Sequence, residues 1–256
     1  MADSMSLVAA DNWVTKLILP QPLSTRVQAW LVPLERTEHL AQAQALLSPE
    51  ESSRAERFAL EAGRRRFVLS HGALRCILSG YTGSDPAELR FGSTAKGKPF
   101  LASDDATGIH FNLSHSGDLA LIGVAVGLRV GVDLEMVQER SGLHEIVRSY
   151  WASAEQDALR QAEPAEQCRT FYRLWTRKES VLKASGQGIT DGLLAPDVSA
   201  ELLTGKPTAG LRVELAGTRW LLYDLDPTPD YMGALALEDV TTEVITAHQN
   251  EDRHHC

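Results

Sequence analysis

Three carboxylates in two separate segments are the residues best suited to chemistry. Asp133 and Glu135 occupy alternate positions of VGVDLE, residues 130–135, and Glu179 lies in a later helical segment. Two carboxylates at alternate positions of a strand are about 7 Å apart at their Cα atoms, so both can reach one hard cation. Gly131, on the same face, leaves room for a ligand. The alternative is the polar face of a half-exposed strand, which this short pattern by itself favours.

Residues 171–188, FYRLWTRKESVLKASGQG, have the pattern of a helix that glycine ends. Projected at about 100° per residue, Glu179 and Lys178 fall within the apolar surface and Lys183 lies next to it. The apolar residues of that surface are Phe171, Tyr172, Leu174, Trp175, Val181 and Leu182. One interpretation is an i, i+4 ion pair of Glu179 with Lys183, which stabilises an exposed helix by only about 0.2 to 0.5 kcal/mol. A catalytic interpretation requires partners from other segments.

A second group of polar residues lies in FNLSHSG, residues 111–117, where a strand is predicted to enter a tight turn. Asn112 and Ser114 alternate with apolar residues, and His115 and Ser116 come at the turn. A histidine, two hydroxyls and backbone N–H groups freed by glycine can together hold phosphate oxygens. A polar surface turn explains the same residues without any ligand.

Basic residues are concentrated, although the chain carries a net charge of −9. That overall charge disfavours general binding to nucleic acids or anionic membranes, which need a positive field. Residues 54–75 nevertheless contain six arginines, namely Arg54, Arg57, Arg64, Arg65, Arg66 and Arg75. A local cationic patch suits a compact polyanion such as a phosphate compound, and a solvated helix face accounts for it equally well. Lys96 and Lys98, just before Pro99, could add ammonium groups from a loop.

Several common catalytic motifs are missing from the sequence. It has no serine nucleophile motif, P-loop or dinucleotide-binding glycine pattern, since GSTAKGKP lacks the P-loop spacing. What remains is three carboxylates, Asp133, Glu135 and Glu179, together with histidine, lysine and arginine side chains. Magnesium binds one or two carboxylates along with substrate phosphates, and cations stabilise the charge of a moving phosphoryl group. The residues therefore predict chemistry on a magnesium-bound phosphate compound.

Two stretches of the chain follow the same order of predicted elements. Strands at 26–35 and 129–137 are each followed by a capping box, SPEE at 48–51 and SAEQ at 153–156. The further predicted strands are LRFGS, HFNLSH and LALIGVAV in the first stretch and LRVELAG, RWLLYDL and MGALALE in the second. This order predicts an α+β fold in which two similar halves each pack helices against an antiparallel sheet.

The two halves are expected to meet near residues 127–130, so that 1–128 and 129–256 form two units packed against each other. Residues 1–23 and 248–256 have the composition of extensions at the ends of this fold.

Cysteine usage and hydropathy indicate a soluble protein of a reducing compartment. Cys76, Cys168 and Cys256 are widely spaced and provide neither a disulfide framework nor paired metal ligands. The longest nearly apolar run, residues 119–128, is too short to span a bilayer and is better explained as a buried strand. No basic and then apolar pattern of a secretory signal occurs at the amino terminus. We therefore expect a cytoplasmic protein.

Taken in order, GKP, FNLSHSG, VGVDLE and LWTRKESVLKASG resemble the signature segments of the Sfp-type 4′-phosphopantetheinyl transferases, or holo-[acyl-carrier-protein] synthases. The resemblance is strong over residues 48–190 and extends through the two-half layout to most of the chain. It implies a pseudo-dimer of two α+β halves with coenzyme A in the cleft between them. It also implies transfer of the phosphopantetheine arm to a serine hydroxyl of an apo carrier protein, with release of adenosine 3′,5′-bisphosphate.

The resemblance further implies a metal and a proton acceptor. Asp133, Glu135 and Glu179 would bind Mg²⁺, which bridges the pyrophosphate of coenzyme A. Glu179 would also accept the proton of the incoming serine, directly or through a metal-bound water. Lys183 would neutralise the pyrophosphate and steady the leaving group.

Other positions match residues of the family that bind coenzyme A. His115 would contact the nucleotide phosphates, with Ser114 beside it, and Arg66 would hold the 3′-phosphate. Lys98 falls on the lysine of the GKP segment. The remaining basic candidates are Arg54, Arg57 and Lys178. The last of these could instead extend its stem along the core to reach solvent. The family tryptophan, here Trp175, would pack the helix so that Glu179 points at the metal.

Two other functions stay open on the residues alone. A different magnesium-dependent phosphotransferase would explain the carboxylates and cations, but not the order of the segments. A non-catalytic module that binds coenzyme A and recruits carriers would not need all three presumptive metal ligands. The expected partners are acyl or peptidyl carrier proteins of fatty acid, polyketide or nonribosomal peptide synthesis, with no nucleic acid and no membrane. Because one chain supplies both halves of the cleft, a monomer is expected.

Overall fold

The structure, a computed structural model, describes residues 13–17, 19, 27–102, 108–139, 142–188, 196–200 and 210–240. The predicted extension at 248–256 lies outside these residues. The expectation that 1–23 is only an extension is wrong for its described part. Trp13 is buried in the first hydrophobic cluster, and Thr15–Lys16 pairs with a strand of the first sheet.

The described residues contain six α-helices and ten strands. The helices are α1 (Leu40–Ala45), α2 (Pro49–Glu56), α3 (Glu61–Thr82), α4 (Leu143–Tyr150), α5 (Ser153–Gln161) and α6 (Gln167–Ser185). The strands are β1 (Thr15–Lys16), β2 (Val27–Pro33), β3 (Phe91–Ser93), β4 (Pro99–Leu101), β5 (Ile109–Ser116), β6 (Leu119–Val126), β7 (Val130–Met136), β8 (Leu211–Leu215), β9 (Thr218–Thr228) and β10 (Tyr231–Glu238). Within this part of the chain, no helix has the length and apolar character needed to cross a membrane.

Eight of the strands form two antiparallel sheets. Their orders are β1-β2-β6-β5 and β7-β10-β9-β8, and β3 pairs with β4 in a separate ribbon. Every strand predicted from the sequence is present, with β9 longer than expected. β1 and β4 were not predicted, because strands of two or three residues are too short to show an alternating pattern. The prediction of an α+β fold with antiparallel sheets packed by helices is confirmed.

Helix α3 covers one face of the first sheet, in contact with β2, β5 and β6. Its buried residues include Phe67 and Leu78, which join a cluster that also contains Trp30 and Phe111. The helix ends at Gly83, whose φ of 71° is the left-handed conformation that glycine adopts without a Cβ penalty. The helix thereby places most of the predicted arginine patch beside one face of the first sheet.

Arg75 departs from that patch. It is 1% exposed, and its guanidinium donates to Glu51 at 2.6 Å and to the carbonyls of Pro86 and Leu89 at 2.7 and 3.1 Å. These contacts hold the α2 helix and the loop after α3 together. Arg75 therefore has a structural role and is not available to a polyanion.

The two predicted capping boxes have different outcomes. For α2 the prediction is confirmed, since the Ser48 hydroxyl accepts from Glu51 N at 3.2 Å and Ser48 N donates to the Glu51 carboxylate at 3.0 Å. For α5 it is wrong by one residue, because the cap is Ala152, whose N–H donates to Glu155 at 2.9 Å. This earlier start brings Glu155 inward, where it is fully buried against a residue of α6.

The two sheets pack against each other, and α6 covers the outer face of the second. One hydrophobic cluster joins residues of β2 and β6 to residues of β7, β9 and β10. Another lies between the second sheet and helices α4, α5 and α6. The resulting order of layers is α3, first sheet, second sheet and α6.

Gly131 allows α6 to lie directly on β7. A Cβ atom at this position would come within 2.1 Å of Ser180 O and 2.4 Å of Ala184 N, both backbone atoms of α6. The expectation that Gly131 leaves room for a ligand is therefore wrong, because the space is filled by the helix. The close approach brings the polar face of β7 against the helix that carries Glu179.

Candidate active site between β7 and α6

The three predicted carboxylates come together where α6 crosses β7. Because side chains alternate along a strand, Asp133 and Glu135 share the face on which Gly131 contacts α6. Glu179 is adjacent in sequence to Ser180, the residue that lies against Gly131. Strand and helix thus bring together residues that are more than 40 positions apart in the sequence.

Burial raises the pKa values of Glu179 and Asp133. The pKa of Glu179 rises to about 7, first because the carboxylate is buried and then because Asp133 and Glu135 are close, against the opposing charge of Lys183. Burial also raises the pKa of Asp133, and the Lys183 ammonium opposes this shift. Like charges held together away from water are costly unless a cation accompanies them.

Two oxygen atoms of the cluster are buried without a hydrogen-bond partner in the structure. They are Asp133 Oδ2 and Glu179 Oε1. Buried carboxylate oxygens almost always have partners, and a hard cation is one that would satisfy both. No group of three or more His, Cys, Asp or Glu within the described ranges is already arranged as a metal cluster. The donor set nonetheless fits magnesium, which usually takes one or two carboxylates.

Lys183 supplies the positive charge of the cluster in this structure. Its ammonium donates to Asp133 Oδ1 at 2.5 Å and to Ser114 Oγ at 3.1 Å. The simplest interpretation of the sequence was an i, i+4 pair of Lys183 with Glu179. In the structure, Lys183 pairs instead with Asp133 of β7. The pair forms because α6 lies directly on β7, where the buried Asp133 carboxylate is within reach of the lysine.

Ser114 is held by three hydrogen bonds. Its hydroxyl donates to Asp133 Oδ1 at 2.8 Å and accepts from Leu134 N at 3.3 Å and from Lys183 Nζ. A serine hydroxyl has one proton and two lone pairs, so these contacts use its full capacity. The predicted contact of Ser114 with coenzyme A would therefore have to replace one of these bonds.

Ser116 and Glu135 form a parallel arrangement one step further along the strands. The Ser116 hydroxyl donates to Glu135 Oε2 at 2.8 Å and accepts from Met136 N at 3.1 Å. Sequence reasoning placed Ser116 in the turn as a possible phosphate ligand. The structure puts it at the end of β5, where it contacts one of the three carboxylates.

His115 lies on the basic side of the cluster. His115 is exposed. The atoms packed around its ring still remove part of the water that would hydrate it, and this lowers its pKa. The positive charges of His71, Lys183 and Arg66 lower the pKa further. These interactions place His115 near both the α6 lysine and the α3 arginine. A neutral histidine flanked by cations is a suitable contact for phosphate oxygens.

Arg66 is held by an aspartate that sequence reasoning did not single out. Arg66 Nε donates to Asp118 Oδ1 at 3.0 Å, and Arg65 Nη2 reaches the same oxygen at 3.3 Å. Asp118 follows Gly117 in the β5–β6 turn, and its N–H donates to the Tyr231 hydroxyl at 3.3 Å. An acid next to glycine is typical of any turn, so no sequence signal distinguished it.

Lys98 lies beside a separate pocket at the junction of β4, β5 and the end of α6. Its ammonium donates to Ala184 O at 2.9 Å and to Val130 O at 3.2 Å. Burial, assisted by the charge of Arg129, lowers the pKa of Lys98 to about 8. The pocket has a volume of about 380 Å³ and is also lined by Lys96 and His110.

Arg54 and Arg57 lie at the end of α2, and both are exposed. The Arg54 guanidinium is 5.1 Å from the centre of the Phe67 ring, whose stacking partner is His71 at 4.0 Å. Arg54 therefore lies against α3. The contact of Arg54 and Arg57 with a phosphate stays a prediction.

The assignment of Lys178 to coenzyme A is wrong. Its side chain is fully buried, and its ammonium contacts Glu155 at 2.9 Å and Pro196 O at 2.8 Å. Glu155, also fully buried, accepts from Val198 N as well. Lys178 therefore points into the core instead of extending its stem to solvent or to a phosphate. The sequence contained no signal for this, because the partner lies in another helix.

Trp175 packs α6 as expected. Its ring stacks on Phe171 at 6.0 Å, and Phe171 stacks on Trp151 at 5.0 Å. Tyr172 donates to Gln138 O at 3.2 Å and adds a contact to the segment after β7. This aromatic group packs the first half of α6, one turn before Glu179.

The chain matches known proteins over both sheets. Residues 32–126 match the family described as 4′-phosphopantetheinyl transferase, N-terminal, and residues 129–236 match the 4′-phosphopantetheinyl transferase superfamily. A relative named 4′-phosphopantetheinyl transferase HetI, from Nostoc sp., is 35% identical over 226 residues, which are 86% of this chain and 92% of the relative.

More distant relatives carry similar names. The 4′-phosphopantetheinyl transferase Sfp of Bacillus subtilis is 29% identical over 158 residues, covering 62% of this chain and 68% of Sfp. The L-aminoadipate-semialdehyde dehydrogenase-phosphopantetheinyl transferase of Homo sapiens is 28% identical over 152 residues, covering 56% of this chain and 49% of the human protein. The matched segments include the carboxylate cluster described above, and the chain belongs to the 4′-phosphopantetheinyl transferase superfamily.

Proposed function

We propose that the cluster between β7 and α6 is the catalytic centre of this enzyme. As a 4′-phosphopantetheinyl transferase, the chain moves the phosphopantetheine arm of coenzyme A to a serine hydroxyl of a carrier protein. The observation that supports the location is the pair of buried, unpartnered oxygens on Asp133 and Glu179 beside the ammonium of Lys183. A divalent cation bound there would give both oxygens a partner and would offset the repulsion between the carboxylates.

Asp133, Glu135 and Glu179 would hold magnesium. Bound there, the ion would neutralise the pyrophosphate of coenzyme A and stabilise charge as it develops on the leaving group. Two of the three carboxylates already lie close enough to raise the pKa of the third. The negative charge of the three carboxylates exceeds the single positive charge of Lys183, and this excess favours binding of a cation.

The reaction needs no side-chain nucleophile. The carrier serine oxygen forms a bond to the phosphorus that bears pantetheine, and the bond from that phosphorus to the bridging oxygen breaks. Glu179 accepts the serine proton, and Lys183 stabilises the negative charge left on adenosine 3′,5′-bisphosphate. The role of the protein is mainly to position the two substrates and to stabilise this charge.

The basic residues around the cluster would bind the nucleotide part of coenzyme A. Arg66 and His115 lie on the side of α3 and would contact phosphates, with Arg54 and Arg57 next to them. The pocket beside Lys98 has a size that suits part of a nucleotide, and its mostly apolar wall carries the polar groups of Lys96, His110 and Arg129. The chain is acidic overall, and these basic residues would supply the local positive charge that a phosphate compound needs.

A mass assay tests the catalytic assignment. The protein is incubated with coenzyme A, magnesium and a panel of apo carrier proteins, and the mass increment of each carrier is followed in time. Asp133→Asn and Glu179→Gln are expected to slow transfer by roughly 100-fold or more, with little change in the thermal unfolding curve. Glu214→Gln, an exposed position of β8, is the matched control. Near wild-type rates for either cluster variant would contradict the assignment.

The same assay separates the other candidate functions. A different phosphotransferase would leave every carrier unmodified and would not need coenzyme A. A binding module would show heat of coenzyme A binding in calorimetry without any mass increment. The panel also identifies which carriers are modified, whether from fatty acid, polyketide or nonribosomal peptide synthesis.

Three wider features belong to this proposal. A division into 1–128 and 129–256 is supported by two family matches that end at 126 and begin at 129. One chain that supplies both sheets supports a monomer, which sedimentation would test. The free thiol of Cys168 accords with a reducing cytoplasm.

A further inference from the structure

The two sheets are joined along a line of side-chain hydrogen bonds. β5 ends the first sheet and β7 ends the second, and their pairing partners are β6 and β10. Side chains of β5 nevertheless accept hydrogen bonds from alternate N–H groups of β7. Asn112 Oδ1 accepts from Val132 N at 2.8 Å, Ser114 Oγ from Leu134 N at 3.3 Å and Ser116 Oγ from Met136 N at 3.1 Å. We call these three bonds the junction ladder.

The ladder gives β7 the acceptors that a neighbouring strand would otherwise supply. One row of its backbone groups pairs with β10, and the other row faces β5. Buried N–H groups need an acceptor, and an open strand edge is a site of unwanted pairing. Because both strands have a period of two residues, the spacing 112, 114, 116 matches the spacing 132, 134, 136.

Two members of the ladder do more than accept. A serine hydroxyl has a proton that it can donate while its lone pairs accept. Ser114 donates to Asp133 and Ser116 donates to Glu135, both at 2.8 Å. Asn112 makes the same kind of bond to β7 without touching a carboxylate of the cluster. The same two serines therefore hold β5 against β7 and orient the carboxylates of Asp133 and Glu135.

We propose that Ser116 is a positioning residue that orients the Glu135 carboxylate for magnesium. The inference rests on the proposed function, since it takes Glu135 as a metal ligand. Ser116 fixes one carboxylate oxygen from β5 while its backbone bond holds β5 against β7. Residues that hydrogen-bond to metal ligands typically change metal affinity 10- to 100-fold when they are replaced.

The experiment measures magnesium binding without turnover. Magnesium is titrated calorimetrically into protein saturated with coenzyme A, with no carrier present, and thermal unfolding of each variant is recorded. Ser116→Ala is expected to weaken magnesium binding about tenfold or more. Ser116→Thr keeps the hydroxyl and is expected to restore most of the affinity.

Asn112→Ala is the matched control. It removes one ladder bond, as Ser116→Ala does, but leaves the hydroxyl on Glu135. It is expected to lower the unfolding temperature and to leave the magnesium affinity of the folded protein within about threefold of wild type, a range well below the 10-fold change for a residue that touches a ligand. This contrast separates positioning of Glu135 from general support of the junction.

Distinct outcomes overturn distinct claims. Wild-type magnesium affinity in Ser116→Ala, or an equal loss in Asn112→Ala, would overturn the positioning role while leaving the proposed function intact. Failure of Ser116→Thr to recover affinity would also overturn it. Absence of magnesium binding to the wild-type complex with coenzyme A would overturn the proposed metal centre itself.

Discussion

The charge of Lys98 depends on pH near neutrality. Burial and the nearby Arg129 lower its pKa from the ordinary 10.5 to about 8. The ammonium is therefore present at pH 7 and is lost as the pH rises through 8. If that ammonium contacts a phosphate of coenzyme A, proton binding and ligand binding are linked. The affinity is then full below pH 8 and declines above it.

This linkage gives a test at the scale of one residue. Calorimetry of coenzyme A binding between pH 7 and pH 9 is expected to show the dissociation constant rising above pH 8, approaching about tenfold per pH unit. Lys98→Arg keeps its charge at these pH values and is expected to flatten the curve. Lys98→Met is expected to bind weakly at every pH. An arginine variant with the wild-type slope would assign the pH dependence to another group.

The contact of α6 with β7 depends on the absence of a side chain at Gly131. A Cβ atom there would lie 2.1 Å from Ser180 O, a backbone atom that cannot rotate away. Gly131→Ala is therefore expected to move the helix outward and to destabilise the protein by about 1 to 3 kcal/mol or more. Urea unfolding measures this change. Transfer activity is expected to fall even at temperatures at which the variant stays folded, because Glu179 moves with the helix.

Gly63 provides the contrasting case within the same chain. It lies in α3 with ordinary helical φ, and an added Cβ would meet the movable ring of Phe58 at 3.0 Å. Gly63→Ala is expected to be neutral or stabilising by about 0.5 to 1 kcal/mol, because alanine favours the helix. Equal effects of the two substitutions would show that the close packing at Gly131 is not important.

The buried pair of Lys178 and Glu155 ties α6 to α5. Both side chains are fully buried, and desolvation lowers the pKa of Lys178 and raises that of Glu155 while their attraction opposes both shifts. Lys178→Met leaves a buried carboxylate without its partner and is expected to cost about 3 to 5 kcal/mol of stability. Adding Glu155→Gln removes the unpaired charge and keeps an oxygen that can accept from the Ala152 and Val198 N–H groups, and it is expected to recover much of the loss.

Kinetics distinguish this structural role from binding of coenzyme A. The double variant is expected to have a wild-type KM for coenzyme A when measured below its unfolding temperature. A large rise in KM with restored stability would return Lys178 to the binding site.

At the scale of the whole molecule, coenzyme A and magnesium would contact both sheets. A ligand that binds only the folded state at 100 times its dissociation constant adds about 2.7 kcal/mol of stability. For a chain of this size, that corresponds to a rise of roughly 5 to 10 °C in the unfolding temperature. Calorimetric scans with coenzyme A and magnesium together are expected to show this shift.

Metal removal provides the internal control for that scan. A chelator is expected to remove part of the shift in the wild-type protein. Asp133→Asn is expected to show the smaller shift whether or not the chelator is present. Equal stabilisation of wild type with and without chelator would mean that coenzyme A binds here independently of a metal.

Much of the fold follows from local patterns. The short, nearly apolar runs LALIGVAV and MGALALE predicted β6 and β10, and the serine, proline and glutamate of SPEE predicted the start of α2. These signals are visible because strand pleat and helix capping involve residues one to four positions apart. The cap of α5 was misplaced by one residue because Glu155 is also held by Lys178, a contact across helices.

The same distinction between local signals and contacts across elements applies to the candidate site. Residue type and order determined by themselves that Asp133, Glu135 and Glu179 are the candidates for a metal and that the family is that of the phosphopantetheinyl transferases. Only the tertiary structure decided that Lys183 pairs with Asp133, that Lys178 faces Glu155, and that Gly131 admits a helix. It also decided that Ser116 and Asp118 hold Glu135 and Arg66. The physical reason is that charge and hydrogen-bonding capacity belong to a residue, whereas its partner depends on which elements pack together.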